Sequence, residues 1–280
     1  MLQAINTWED YRAKLREFDA VLEHAKAVGA VMTGMVARSS HGRYGAQVFV
    51  KLLSHCIALR ALAADTNHRS PRELLDVPSM SALARCVVEA HDAFEYVAGH
   101  NVTPAERTFR LQLWELHDQI RRLKMFTDLG WSPERLDDIR ADVSRRQDDL
   151  QANEFFARLP PELQAELRRR WAKGDPPAFH LGQRQRCELS GVNADWHNII
   201  TSQLAQYAHT LPSSVEQMTH LAPGSVEVHR LLAMPLVASL PFLVRVTQAI
   251  AAYMPANAPE PPSRTSRTMA LWRQAAELAP

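Results

Sequence analysis

Apolar side chains recur at three- and four-residue spacing along most of this chain. In residues 7–32 the apolar stripe runs through Trp8, Tyr11, Leu15, Phe18 and Leu22, with charged residues on the other faces. This spacing predicts amphipathic helices. No segment of strand length alternates β-branched or aromatic residues with polar ones, as a half-buried strand would. The sequence therefore predicts an all-α fold, with a single bundle of about eight to ten helices.

Proline, glycine and capping residues mark where helices begin and end. Thr103-Pro104-Ala105-Glu106 combines a threonine cap, a proline at the first position and a glutamate at the third. Gly130 fits a helix end, and Ser132-Pro133 a new start. We expect a helical bundle domain over residues 1–254, in which residues 132–173 form a charged outer helical arm. A Pro-rich linker over 255–268 and a short C-terminal helix over 269–280 complete the prediction.

The 280 residues carry a net charge of +1, so no global field recruits nucleic acid or acidic membrane. Three widely spaced cysteines without a CxxC pair exclude a disulfide scaffold and indicate a reducing, cytoplasmic location. The N-terminal residues lack the features of a signal peptide. The longest apolar run, Leu231 to Val244, is interrupted by Pro235 and Pro241, which predicts a buried, kinked core helix rather than a membrane span.

The first candidate site lies on the helix expected from about Ser81 to Ala98. Its apolar residues share one face, and Arg85, Glu89, Asp92 and Tyr96 follow one another on the opposite side. This polar stripe is either a ligand-binding surface or the solvated face of an ordinary amphipathic helix. In the second case the Arg85–Glu89 ion pair contributes only about 0.3–0.5 kcal/mol.

The second candidate site is formed by Tyr207 and His209, just before Thr210-Leu-Pro212. This position predicts a helix C-terminus, whose negative dipole end favours a charged histidine. A charged His209 could act as an acid or bind a phosphate or carboxylate. The alternative is that His209 only satisfies the last carbonyl groups of its helix.

Both stretches resemble an uncharacterised group of all-helical bacterial proteins with an Arg-x3-Glu helix and a Tyr-x-His element. The matching segments are Ala84-Arg85-Cys-Val-Val-Glu89 and the segment from Ile200 through Tyr207 and His209 to Pro212. The chain departs from this pattern at Ala205 and at Ile200, where the group has serine and tyrosine. The resemblance implies that Arg85, Glu89 and His209 converge in one polar pocket, and it implies no particular reaction.

A second resemblance is to the HEPN superfamily, helical domains that include ribonuclease toxins with an Arg-x4–6-His motif. Arg85-x5-His91 and Arg110-x6-His117 both fit this pattern. The resemblance implies RNA cleavage, in which Arg85 would stabilise phosphate charge and His209 would act as general acid or base.

Metal and cofactor motifs are absent from the sequence. The twelve histidines form no HExxH motif or close His/Cys cluster, and most are expected on the surface. There is no glycine-rich phosphate loop, so no cofactor is expected. Arg168-Arg-Arg170 beside Trp171 could bind a phosphate backbone, but its acidic neighbours favour a solvated helix face.

Three functions are compatible with these patterns. The first is a non-enzymatic binding or interaction module in which Arg85, Glu89, Tyr207 and His209 form a structural network or bind a small anionic ligand. The second is a HEPN-like, RNA-cleaving toxin or defence-related ribonuclease that uses Arg85 and His209. The third is a peripheral membrane protein that uses Leu231 to Met254. A homodimer is expected from the charged arm.

Overall fold

A computed structural model of the protein describes residues 2–34, 39–66, 75–219, 222, 224–254 and 256–278. Within these residues every regular element is helical, which confirms the all-α class. The twelve α-helices are α1 (Trp8–Met32), α2 (Ser40–Leu62), α3 (Val77–Phe94), α4 (Pro104–Asp128), α5 (Pro133–Gln151), α6 (Glu154–Arg158), α7 (Pro161–Ala172), α8 (Gln183–Ser190), α9 (Ala194–Ala208), α10 (Pro212–Thr219), α11 (Val226–Ala252) and α12 (Ser263–Ala275). A 3-10 helix (Leu2–Ala4) precedes α1, and a π-helix (Glu95–Gly99) follows α3.

The predicted count of eight to ten helices is wrong. α6 has five residues, and α8 and α10 have eight each. Such helices make about one to two turns, too few for an apolar stripe to repeat.

The chain divides into two compact units. The first consists of Met1–Glu95 and Cys187–Pro280, and the second is Tyr96–Arg186. No sequence signal indicated a boundary at residue 95 or 186, and the domain limits given above stay predictions. The segment 132–173 falls wholly within the second unit.

The predicted start of α4 after Thr103 is confirmed, but of the threonine caps at Thr7 and Thr103 only the first forms a complete capping box. The side chain of Thr7 accepts the backbone N–H of Asp10, whose carboxylate accepts the N–H of Thr7 in return. Thr103 accepts the N–H of Glu106, but the Glu106 carboxylate pairs with Arg110 instead of reaching back to the cap. Gly130 has a φ of 74°, a left-handed conformation that ends α4 at low cost because glycine has no Cβ.

Helix α11 forms the centre of the first unit. It packs against α1, α2, α3 and α12, and its side chains from Leu231 to Thr247 are buried. α2 and α11 are long and apolar enough to cross a membrane, but 94% of the α11 window is buried inside the protein. That burial is typical of a core helix, and it leaves no uncovered apolar stretch from Leu231 to Val244 for the membrane function considered above.

The second unit is built around α4. Its apolar core is small and excludes most of the charged side chains of α5 and α7. The core side chains are Phe109, Leu113, Leu116, Ile120, Val143, Leu150, Phe156, Leu159, Leu167 and Trp171. The charged faces are tied together instead by ion pairs, of which the one between Arg146 and Glu115 joins α5 to α4.

The C-terminal helix α12 begins at Ser263, inside the predicted linker and earlier than the predicted residue 269. It packs on α11 and α1, and Trp272 Nε1 donates a hydrogen bond to Glu17 at 2.8 Å. Residues 255, 279 and 280 of the predicted linker and helix lie outside the described residues.

Candidate functional site

The predicted polar stripe on the third helix separates into two parts. Arg85 Nε and Glu89 Oε1 are 3.0 Å apart, and the Glu89 side chain is 60% exposed, so this pair behaves as a solvated helix face. Asp92 is only 17% exposed, and Tyr96 is fully buried. The solvated-face alternative is therefore wrong for Asp92 and Tyr96. The reason is tertiary packing, because α9 covers the part of α3 that carries Asp92.

Asp92 is the centre of a buried cluster in the first unit. Its carboxylate lies 3.2 Å from His91 Nδ1 and 3.1 Å from His197 Nε2. His91 is the neighbouring residue on α3, whereas His197 comes from the first turn of α9. The carboxylate can only accept, so both imidazoles donate. Asp92 therefore links α3 to α9 through two hydrogen bonds. We call these three residues the Asp92 cluster.

Aromatic rings cover the two imidazoles of the cluster. The Phe242 ring of α11 lies 4.7 Å from the His91 ring and 6.0 Å from the His197 ring. Trp196 stacks on Phe242 at 5.5 Å. His91 and His197 are 1% and 2% exposed. The two imidazoles are thus held between α3, α9 and α11.

The ionised form of Asp92 is strongly favoured. Burial alone would raise the pKa of Asp92, but the hydrogen bonds from His197 and His91 outweigh it and hold the pKa well below its usual value. A carboxylate that accepts two charge-assisted hydrogen bonds is a stabilising centre, whereas an unpaired one at this depth would be costly.

The second nitrogen of His91 faces another carboxylate. His91 Nε2 lies 3.8 Å from Glu95 Oε1 and makes no hydrogen bond. The charge of Glu95 also acts on Arg245 of α11, whose guanidinium donates to the carbonyl oxygens of Ser190 and Gly191 at 2.8 and 3.1 Å. An acidic group, Glu95, and a basic group, Arg245, therefore lie next to the Asp92 cluster.

The chemistry open to this cluster is limited by its burial. In catalytic acid–base pairs a carboxylate accepts a hydrogen bond from Nδ1 of a histidine and so directs Nε2 toward the substrate. His91 and Asp92 have the same arrangement. Here Nε2 is buried between Glu95 and Phe242, so no substrate can reach it without opening the core. In the part of the chain that the structure describes, no group of three His, Cys, Asp or Glu side chains could hold a metal ion.

A second buried polar cluster lies in the second unit. The Arg110 guanidinium is fully buried, donates to His100 Nδ1 at 2.7 Å and pairs with Glu106 at 2.5 Å. It also lies 5.0 Å from the ring of Tyr96, whose hydroxyl is 2.8 Å from His180 Nδ1. Burial and the Arg110 charge lower the pKa of His180 to about 3.

The clustered groups of the second unit have defined protonation states. His180 is neutral near pH 7, and burial raises the pKa of Tyr96. The backbone N–H of His180 donates to the Tyr96 hydroxyl oxygen at 3.4 Å, which leaves the hydroxyl hydrogen to be donated to Nδ1 of the imidazole. His100 Nδ1 accepts from Arg110, because a guanidinium can only donate. The cluster is a closed network of satisfied partners.

Tyr207 and His209 occupy the end of α9, as predicted. The Tyr207 hydroxyl donates to Gln217 Oε1 of α10 at 2.6 Å, and burial raises the pKa of Tyr207. His209 is the exposed C-cap, and its backbone N–H donates to the carbonyl of Ala205 at 2.9 Å. Among the described residues no hydrogen bond or ion pair joins His209 to Arg85 or Glu89, and their convergence stays a prediction.

The sequence patterns missed the histidines that matter most. His24, His91, His100, His197 and His229 are buried, contrary to the expectation of mostly exposed histidines. The available signal was position, because His91 and Asp92 interrupt a helix that is apolar on either side. Their partner His197 is 105 residues away from Asp92, and no local pattern indicates it.

The comparisons with known proteins add no relative. No protein-family model, no curated protein and no solved structure matches this chain. The resemblances to the helical bacterial group and to the HEPN superfamily therefore stay predictions.

Proposed function

We propose that this protein is a non-enzymatic helical binding or interaction module. In it the Asp92 cluster is a structural network that joins α3, α9 and α11, and partners bind on exposed surfaces. The single observation that supports this proposal most strongly is the closure of the cluster. Its two imidazoles are at most 2% exposed, and the only free nitrogen of His91 faces Glu95.

The surface positions of Arg85 and His209 support the same proposal. Arg85 is engaged by Glu89 on its own helix, and His209 is an exposed helix cap. A general acid needs a phosphate-binding partner within hydrogen-bond reach of the same substrate. Binding of a small anion or of RNA at either residue remains part of the proposal, with ribonuclease activity as the competing function.

The charged segment 132–173 is proposed as an arm for assembly, including a homodimer. Its helices α5 and α7 bury few apolar side chains and expose many charged ones to solvent. We place the protein in the cytoplasm, and the finding that Cys56, Cys86 and Cys187 form no disulfide supports this.

The experiment compares the purified wild type with Asp92→Asn and His209→Ala. Each protein is incubated with labelled single-stranded and structured RNA, and its thermal unfolding is measured with and without inorganic phosphate. We expect intact RNA for all three proteins. We also expect a lower Tm for Asp92→Asn only, because the amide carries no charge and replaces one acceptor oxygen with an NH2 group, which faces an imidazole N–H.

Arg85→Ala and Glu89→Ala are the matched controls, since they lie on the same helix but on its exposed face. RNA cleavage by the wild type that is lost in Arg85→Ala and His209→Ala would overturn the proposal in favour of the ribonuclease. Phosphate stabilisation that is lost in either variant would locate an anion site there.

A further inference from the structure

The connection between α4 and α5 extends beyond the core of the second unit. The last buried side chain of α4 is Ile120, and the first of α5 is Leu136. Between them only Leu123 and Phe126 are partly buried, and every other residue is exposed. At a rise of 1.5 Å per residue, α4 continues about 12 Å past Ile120. We call residues 121–135 the α4–α5 tip.

The tip exposes large apolar side chains that the core does not use. Met125, Leu129 and Trp131 are 48%, 67% and 39% exposed. Phe126 and Trp131 stack with their ring centres 4.0 Å apart, which holds the indole beside the turn at Gly130. Met125 and Leu129 are four residues apart, about one helical turn, and exposed apolar side chains grouped in this way and rimmed by polar residues mark interaction surfaces.

Basic side chains surround this apolar group. Arg121, Arg122, Lys124 and Arg135 are exposed, and within the described residues none of them forms an ion pair. The Arg122 guanidinium lies 5.9 Å from the Phe126 ring. Asp128 and Glu134 are the acidic residues of the tip, so four positive and two negative charges leave it at +2. The charge of the tip exceeds that of the whole chain, which is +1.

We propose that the α4–α5 tip docks on an anionic lipid surface. Leu129, Met125 and Trp131 enter the interface between headgroups and acyl chains, where an indole is well accommodated. The basic side chains meet the lipid phosphates and carboxylates. This function goes beyond the interaction module proposed above and does not depend on the Asp92 cluster.

A lipid surface fits the tip better than a protein partner does. The tip is the end of a helical hairpin, and a protein would need a matching concave pocket with acidic walls, whereas a bilayer adapts to the inserted shape. Unpaired arginine and lysine side chains beside apolar groups can extend their charges to the headgroups while their stems stay among the acyl chains. The apolar α11 cannot serve this purpose, because it is buried in the first unit.

The test is co-sedimentation of the full chain with phosphatidylcholine vesicles, with and without phosphatidylserine. We expect binding only to the vesicles that contain phosphatidylserine. Binding should weaken as salt is raised from about 0.1 M to about 1 M, where the Debye length falls from about 10 Å to about 3 Å. Replacing Arg121, Arg122 and Lys124 with glutamine should weaken binding by roughly fivefold for each charge removed, the equivalent of about 1 kcal/mol each.

Insertion of the α4–α5 tip into the bilayer can be measured separately, by the fluorescence of Trp131. Lipids brominated near the headgroups should quench the wild type, and Trp131→Phe should abolish most of that quenching while binding is retained. Leu129→Ser should weaken binding. Ile57→Ser is the matched control, since Ile57 is 45% exposed on α2 of the first unit.

Two results would overturn the proposal. The first is vesicle binding that is absent, or that is the same for the tip variants and for Ile57→Ser. The second is a concentration-dependent dimer in light scattering that Leu129→Ser dissolves, because the tip would then be a self-association surface. Asp92→Asn should leave vesicle binding unchanged at temperatures below its Tm. A negative result in the vesicle test therefore refutes the lipid-docking proposal without bearing on the structural role proposed for the Asp92 cluster.

Discussion

Replacement of Asp92 by alanine should destabilise the first unit far more than any exposed substitution on the same helix. The wild-type carboxylate accepts hydrogen bonds from His91 Nδ1 at 3.2 Å and from His197 Nε2 at 3.1 Å. Alanine removes both acceptors and leaves two buried imidazole N–H groups without them. Phe242 packs against both imidazole rings, so they have little room to turn toward other acceptors.

The expected cost follows from the number of bonds lost. A hydrogen bond to a charged group contributes about 1.5–3 kcal/mol, so two contribute about 3–6 kcal/mol. Breaking a buried ion pair from one side costs about 3–5 kcal/mol, in the same range. At about 2–4 °C per kcal/mol for a unit of this size, a cost of about 3–6 kcal/mol should lower the Tm by about 6–24 °C.

The assay is thermal unfolding of the full chain followed by circular dichroism, with Glu89→Ala as control. Glu89 lies three residues before Asp92 and forms an exposed pair with Arg85, so its removal should cost about 0.3–0.5 kcal/mol. Equal Tm values for Asp92→Ala and Glu89→Ala would refute the structural role of the cluster.

The same substitution should change the pH dependence of stability. Because the pKa of Asp92 in the folded protein lies below its unfolded value of about 3.9, the unfolded state binds more protons as the pH falls past that value. The stabilisation is therefore complete above about pH 4 and declines at lower pH. The difference in unfolding free energy between wild type and Asp92→Ala should narrow only in that acidic range.

Three further outcomes are expected. Arg245→Met should remove the guanidinium from the Glu277 carboxylate and from the end of α8, and should speed amide exchange in α12 and α8 before it affects α4. The pKa of His180 is about 3 in the folded protein and about 6.5 in the unfolded one, so the unfolded state binds more protons between these values. As the pH falls through this range, the free energy of unfolding of the wild type should therefore decrease by up to about 1.4 kcal/mol per pH unit. Urea titrations of His180→Gln should not show this decrease. Native thiol labelling should occur mainly at Cys86 and disappear in Cys86→Ser, because Cys56 is fully buried and burial raises its pKa.

The helices were predictable from the sequence because their signals are local. The capping box of Thr7 and Asp10 and the threonine cap with proline at Thr103 each act within one turn. The burial of α11 was equally visible, since its apolar run is unbroken by charge until Arg245. Short helices such as α6 escaped prediction, because five residues cannot show a period.

The partners of the site residues were not predictable. Asp92 and Tyr96 follow the spacing of an exposed stripe, and only packing shows that they lie inside. Tyr96 meets His180 across 84 residues, so the partnership depends on the fold rather than on spacing. In addition, the π-helix Glu95–Gly99 changes the helical phase at Tyr96, which an α-helical period cannot anticipate.

The first unit is formed by the two ends of the chain, so its N-terminal helices are synthesised well before its C-terminal ones. Helices α1, α2 and α3 leave the ribosome long before α11, the helix against which all three pack. At about 5–20 residues per second, the 157 residues that follow Glu95 up to Ala252 take roughly 8–30 s to translate. During that interval the apolar faces of α2 and α3 can cover only each other and α1. The second unit is continuous and can fold within the same interval. The first unit keeps apolar surface uncovered until α11 is made, and exposed surface of this kind is what makes folding intermediates prone to aggregate.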